Sequence, residues 1–227
     1  EGTWYILGRV NSTVTELKMA AKDAGLYFSD NKGNKSFDTK QWNAIKAWTT
    51  LSKDKSISRD QAENMYKYIR DLKDFDFRTS KFWQNMPETQ TFTFKQLKEW
   101  AGLDLEDYEQ TRPWWTILKR NFTPNQTQYF IRLLRAYGQK TIDKEPQIII
   151  DTIHSVKGGE ANNVLIYSKT NWPASFSHKT KDEQSDEKRV YYTGVTRAKN
   201  TLHILSTDYK YNYPIGKDYF MYLQEKK

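Results

Sequence analysis

The chain has 227 residues, a formal net charge of +8 and a sequence pI near 9.3, which is length enough for one or two domains with a real core. It has no cysteine, so disulfides and thiolate metal sites are excluded, and neither a membrane-length apolar run nor a leading secretory signal is present. The basic balance favours a polyanionic partner, and most of the 15% aromatic residues read as core rather than as base-stacking platforms.

The chain opens Glu1-Gly2-Thr3 without Met and reads as an excised fragment. Trp4 to Arg9 reads as a first strand. Thr13 and Glu16 fit a capping box, so a helix should follow, with Val14, Leu17, Ala20, Ala21 and Ala24 on one face and Gly25 as its stop. Tyr27-Phe28 starts a second extended piece, and strand, helix, strand is the signature of an α/β domain. Asp38 should cap a helix carrying Trp42, Ile45, Trp48 and Leu51. A further helix is expected from about Arg59 to Leu72, with Ala62, Met65, Tyr66 and Ile69 at helical spacing. Aromatics at that spacing are read as core.

From about Asp74 to Lys144 the composition shifts to Trp, Phe, Gln, Thr and charge. Thr93 should cap a short helix through Leu97 and Trp100, closed by Gly102. Arg112-Pro113-Trp114-Trp115 breaks the pattern. Thr123-Pro124-Asn125-Gln126 opens another helix that Gly138 ends. Residues 74–144 therefore read as a small, mostly helical insertion, leaving 1–73 and 145–227 as the α/β body. Ile148-Ile149-Ile150 and Val164-Leu165-Ile166-Tyr167 read as buried parallel strands. The turn between them offers backbone N–H groups and positive charge to an anion, and one acceptor to a hydroxyl. Ser175 to Asp186 reads as a polar loop, Asp186 to Lys199 as a helix, Leu202 to Leu205 as the last strand, and Asp218 to Lys227 as a short helix or frayed end.

Three stretches carry a resemblance. Thr152-Ile153-His154-Ser155-Val156-Lys157-Gly158-Gly159-Glu160 resembles motif V, T-x-H-x-x-K-G-x-E, of the UvrD/Rep family of superfamily 1 DNA helicases. Glu187-Lys188-Arg189-Val190-Tyr191-Tyr192-Thr193-Gly194-Val195-Thr196-Arg197-Ala198 resembles motif VI, E-x-R-x-x-Y-x-x-x-T-R-A. Tyr5 to Ser12 is similar to motif IV, more weakly. The stretches stand in family order, and Asn171-Trp172-Pro173 matches a place where the family has an apolar residue before Pro.

The resemblance implies the second, C-terminal RecA-like domain of such a helicase: a P-loop NTPase-like parallel sheet flanked by helices, with an accessory insertion. It implies ATP-dependent translocation on single-stranded or partly duplex DNA. It makes Arg197 the arginine finger on the γ-phosphate and Arg9 a second γ-phosphate contact; Arg9 also ends a strand, where α/β proteins place ligands. It assigns Glu160 to a ribose hydroxyl and the Gly158 backbone to the nucleotide. Thr152, His154, Ser155 and Lys157 then meet the nucleic acid. Tyr192 joins them or is a core tyrosine. An internal ion pair with Glu187 is the plain alternative for Lys188 and Arg189, and a solvated helix arginine is the plain alternative for Arg197.

Three positions depart from the family pattern, one of them Lys188, which stands where the family usually has Arg. Gly8 stands where an aromatic that stacks on adenine often precedes the arginine, with Tyr5 or Trp4 as substitutes. Gly159 stands where the family has Leu or another apolar residue. There is no G-x-x-x-x-G-K-[ST] phosphate loop; Gly138-Gln139-Lys140-Thr141 only approximates one. Ile148 to Asp151 mimics the strand before a magnesium-binding Asp, yet Thr152 follows where Glu is needed, so no metal ligand is assigned. ATP and Mg²⁺ are expected in the full-length protein, with the Mg²⁺ ligands on an N-terminal RecA-like domain outside this chain, in the cytoplasm. Alternatives are a non-catalytic nucleic-acid-binding module with a degenerate helicase fold, or the helicase part of a helicase–nuclease.

Overall fold

A computed structural model describes residues 2–69, 83, 85–100, 103–171, 174, 179–206, 211–213 and 215. The chain divides into two compact units, 1–36 with 131–227, and 37–130.

The first unit is built on a five-stranded sheet of β1 (Trp4–Gly8), β2 (Phe28–Ser29), β5 (Ile148–Thr152), β6 (Ala161–Tyr167) and β7 (Ala198–Leu205). The spatial order is β2-β5-β1-β6-β7, and every pairing is parallel. This is the α/β, RecA-like arrangement expected from the motifs. β1 is central because it is apolar on both faces. Tyr5 and Leu7 point to one side, where they pack with Ile153, Val156, Val164, Ile166, Tyr191 and Val195. Ile6 points to the other, where helix α1 (Asn11–Asp23) lays Val14, Leu17 and Ala21 beside Phe28 and Ile150. On the first face runs α7 (Lys181–Val195), antiparallel to the strands it covers.

α7 lies unusually close to the sheet. A Cβ on its Gly194 would stand 3.1 Å from Ile166 Cδ1 and 3.3 Å from Ile153 Cγ2. A side chain there would require Ile166 and Ile153 to give way by a few tenths of an ångström.

The unit 37–130 is an aromatic-rich helical body. Its elements are α2 (Thr39–Leu51), β3 (Ile57–Ser58), α3 (Arg59–Tyr66), β4 (Thr91–Phe92), α4 (Phe94–Trp100), a 3₁₀ helix (Asp107–Thr111), α5 (Trp114–Ile117) and the start of α6 (Pro124–Ile142). β3 and β4 pair antiparallel. The expected caps form: Asp38 accepts from the Lys40 N–H at 2.8 Å, Thr93 and Gln96 cap α4 reciprocally, and Thr123 and Gln126 do so for α6. Trp42, Trp48, Met65, Tyr66 and Phe130 are all buried, as their helical spacing implies.

Several boundaries differ from expectation. Composition placed the insertion at 74–144, whereas packing divides the chain at 36/37 and 130/131. The reason is that α2 and α3 turn their aromatic faces toward Trp83, Phe94 and Phe130. α3 ends at Tyr66, and the rest of the helix expected to Leu72 reaches beyond the described residues. α1 starts at Asn11 with Val10 as its N-cap, not Thr13, whose hydroxyl donates instead to the Lys169 carbonyl at 3.2 Å. α7 starts at Lys181 rather than Asp186, because Thr180 and Glu183 form a capping box within the stretch read as loop. It ends at Val195, and β7 begins four residues earlier than Leu202, at Ala198, drawn in by pairing with Ala161. The backbone leaves helical geometry at Gly138 (φ 68°), as expected. Gly102, Trp172-Pro173 and the segment from Asp218 lie outside the described residues. No helix among the described residues is long and apolar enough to cross a membrane.

The depth of α7 makes a direct forecast. Gly194→Val should lower unfolding free energy by about 1–3 kcal/mol, the usual cost of overpacking a filled core. A denaturant titration reads this; an unchanged midpoint would mean that the helix can lift away freely.

Candidate functional site

Motif residues gather at both edges of the sheet. At the edge formed by the strand C-termini, β1 ends at Gly8 and the chain turns through Arg9 and Val10 into α1. A Cβ at Gly8 would come within 3.1–3.3 Å of Val14 and Thr13, so α1 starts close over this position and a larger residue would press on its first turn. The N-cap Val10 offers no side-chain acceptor, and the first turn of α1 has no acidic residue. Its N–H groups therefore present a partial positive charge at this edge.

Arg9 is held by a bidentate ion pair. Its Nε donates to Glu187 Oε2 and its Nη2 to Glu187 Oε1, both at 2.7 Å. Lys179 Nζ donates to the same Oε1 at 2.6 Å. Glu187 sits on the buried face of α7 with 3% of its side chain exposed. Burial pushes its carboxyl up, but the hydrogen bonds from Arg9 and Lys179 outweigh that and hold it below its ordinary value. Tyr191, one turn along the helix, is buried and stacks on Tyr213 with ring centroids 3.8 Å apart. Burial, with the neighbouring Glu187 charge, pushes its phenol up.

Beside β1, β5 ends in the motif V turn. Ser155 donates from its backbone N to Thr152 Oγ1 at 3.3 Å and from its hydroxyl to the Thr152 carbonyl at 2.8 Å. Asp151 accepts from the backbone N–H groups of Asn31 and Thr152, and Asn31 Nδ2 donates to the Ser155 carbonyl. Ile153 and Val156 face the core, while His154 and Lys157 are exposed. The turn thus shows water one imidazole and one ammonium, three residues apart.

The chain then crosses the face of β1 to reach β6. Gly158 takes φ 86° with open space where a side chain would stand. Gly159 lies on Tyr5: a Cβ there would be 2.5 Å from the Tyr5 hydroxyl oxygen. Tyr5 fills the room that an apolar side chain at position 159 would need, which accounts for that departure from the motif. The same packing removes Tyr5 as a stacking platform for adenine, and Trp4 is stacked on His203 with centroids 5.6 Å apart.

At the opposite edge stand Glu160 and Arg197. Arg197 Nη1 donates to the Gly159 carbonyl at 3.0 Å, Nε to the Thr193 carbonyl at 3.0 Å and Nη2 to Thr196 Oγ1 at 3.1 Å. None of these acceptors carries a full charge, so the guanidinium is positioned without being neutralised by them. Glu160 is half-exposed and pairs with Lys199 at 3.2 Å, a solvated contact of small energy that a ligand hydroxyl can replace.

The structure brings Gly158, Glu160 and Arg197 together and leaves Arg9 elsewhere. Gly8 is in register with Tyr167 and the β6 strand starts at Ala161, so the two edges are about 20 Å apart at strand rise. The expectation that Arg9 and Arg197 reach one phosphate is corrected by this parallel register. Arg9 shares its edge with Thr152 and Ser155. Tyr192 is 62% exposed on the outer side of α7, while Tyr191 takes the core position. Arg189 pairs with Asp186 at 3.1 Å rather than with Glu187. Sequence reasoning missed the roles of Glu187 and Lys179. The signal was available: Glu187 shares a helical stripe with Tyr191 and Val195, and a carboxylate on a buried stripe requires a cation. Among the described residues no three His, Asp or Glu side chains gather as a metal site.

The model of the family described as the UvrD-like helicase C-terminal domain matches residues 12–209. A search of curated proteins finds no match.

The clamp on Glu187 sets a pH dependence. Its folded value is depressed, so its contribution to stability is complete above its ordinary 4.5 and is lost as pH falls through the lower folded value. Acid unfolding of the wild type should therefore include a component in that range that Glu187→Gln lacks. Parallel stability–pH curves for the two proteins would contradict it.

Proposed function

Because the chain belongs to the UvrD-like helicase C-terminal domain family, we propose that it is the C-terminal RecA-like part of an ATP-dependent DNA helicase or translocase. The observation that carries this reading is the seating of Arg197. Its guanidinium is fixed at the end of α7 against the Gly159 carbonyl, next to Glu160, by neutral acceptors only. A cation held this way is preorganised for charge that develops elsewhere.

In this reading ATP supplies the phosphoryl group and lies between this edge and a second RecA-like domain that carries the phosphate loop and the Mg²⁺ ligands. Arg197 stabilises the γ-phosphate in the transition state. Glu160 accepts a hydrogen bond from the ribose, exchanging Lys199 for it. Gly158, with open space over its Cα, lets the nucleotide approach the backbone. At the opposite edge Thr152, Ser155, His154 and Lys157 meet the single strand. Arg9 and the uncapped start of α1 add positive character there, and Tyr192 lies on the outer side of α7. Closure around ATP is passed to the strand by the motif V segment, which runs from one edge to the other. The unit 37–130 takes the place of the accessory insertion.

Two measurements test this. Arg197→Ala, in the protein that includes the phosphate-loop domain, should lower kcat for ATP hydrolysis by about 10³-fold or more while nucleotide affinity stays close to wild type. Unchanged turnover would remove Arg197 from the mechanism. The purified 227-residue chain should bind oligonucleotide yet hydrolyse no ATP; steady turnover by that chain would overturn the division of labour.

A further inference from the structure

We propose that Glu187 is a positioning residue that transmits the state of the Arg9 edge to Arg197 at the other. The inference rests on the reading above, in which nucleic acid meets the first edge.

Glu187 and Val195, the last residue of α7, lie eight positions apart along one continuous rod, about 12 Å at helical rise, and Arg197 follows two residues beyond its end. Directional contacts tie that rod at both ends. At one, the carboxylate of Glu187 is gripped by Arg9 at the tip of β1 and by Lys179 just ahead of the helix. At the other, the Arg197 guanidinium grips the Gly159 carbonyl. Between them the rod packs into the core of the sheet. Gly194 rests on Ile153 and Ile166, and Tyr191 stacks face to face on Tyr213. Among the described residues the buried Tyr191 hydroxyl has no hydrogen-bond partner. The ionic grip at Glu187 adds a charged, directional contact that ties the helix to the tip of β1.

Arg9 makes that grip responsive. It uses Nε and Nη2 on Glu187 and stands two residues before the uncapped start of α1, where the helix favours an anion. A backbone phosphate arriving there competes for the same guanidinium. Any displacement of Arg9 changes the hold on Glu187, and the helix carries that change to Thr196 and Arg197. Ile153 of the motif V turn packs in one core cluster with Tyr191 and Val195 of α7, which gives the turn a share in any shift of the helix.

The readout is amide hydrogen exchange at Thr196 and Arg197, whose N–H groups bond the Tyr192 and Gly194 carbonyls at 3.0 and 3.2 Å. Oligothymidylate added to the wild-type chain should change exchange at these two amides about fivefold or more, the lower range of measured couplings between sites. In Glu187→Gln the oligonucleotide should still bind and the change should vanish. If Glu187→Gln does not fold by circular dichroism, Lys179→Gln/Glu187→Gln, which removes one charge of each sign and leaves Arg9 in place, is used with the same expectation. An exchange response that persists in the variant refutes the proposal. A wild-type chain that binds oligonucleotide without any response at Thr196 and Arg197 refutes it while sparing the functional reading. A wild-type chain that binds no oligonucleotide removes both.

Discussion

A carboxylate cut off from water is tolerated only with cations against it. In this chain that constraint falls on Glu187, and much of the site geometry follows from how it is met. The carboxylate belongs to α7, on the face that covers the sheet, so its partners must come from elements that end beside it. β1 supplies Arg9 at its tip, and the segment before α7 supplies Lys179. Strand, helix and preceding loop are thereby fixed at one point. That point stands two residues before the start of α1.

The parallel register then decides what can cooperate with what. Strands that all run in one direction separate the residues at their ends from those at their beginnings by the full depth of the sheet. Arg9, Thr152 and Ser155 fall on one side of that divide and Glu160 and Arg197 on the other. A two-edged domain of this kind suits a machine whose fuel and track are different molecules. A helix and a short crossover run between the two edges and pack together in the core.

Much of this was legible in the residues. The β-branched runs at 148–150 and 164–166, the helix caps at Asp38, Thr93 and Thr123, and the break at Gly138 each have a local cause, and each stands where that cause puts it. What depends on distant packing was not legible. Val10 rather than Thr13 takes the N-cap position of α1 without capping it, and the Thr13 hydroxyl donates to the Lys169 carbonyl, more than 150 residues away in sequence. The clamp pairs positions 178 apart. Gly159 reads as a departure from a motif until Tyr5 is seen beneath it. The grouping of α2 and α3 with the aromatic unit likewise follows from side chains that meet only in the fold. Motifs picked out the candidate residues, and the register shows that they fall into two groups.

One consequence concerns the length of the motif V segment rather than its composition. Parallel strands are usually joined by a dozen residues or more, most often a helix. Here eight residues, 153–160, leave β5, pass over β1 and enter β6, and six of them are wound into a turn. Such a connection is taut, with no spare chain to absorb an added or lost residue. Evolution can exchange side chains along it while its residue count stays fixed, so insertions that distinguish one relative from another should collect elsewhere on the surface.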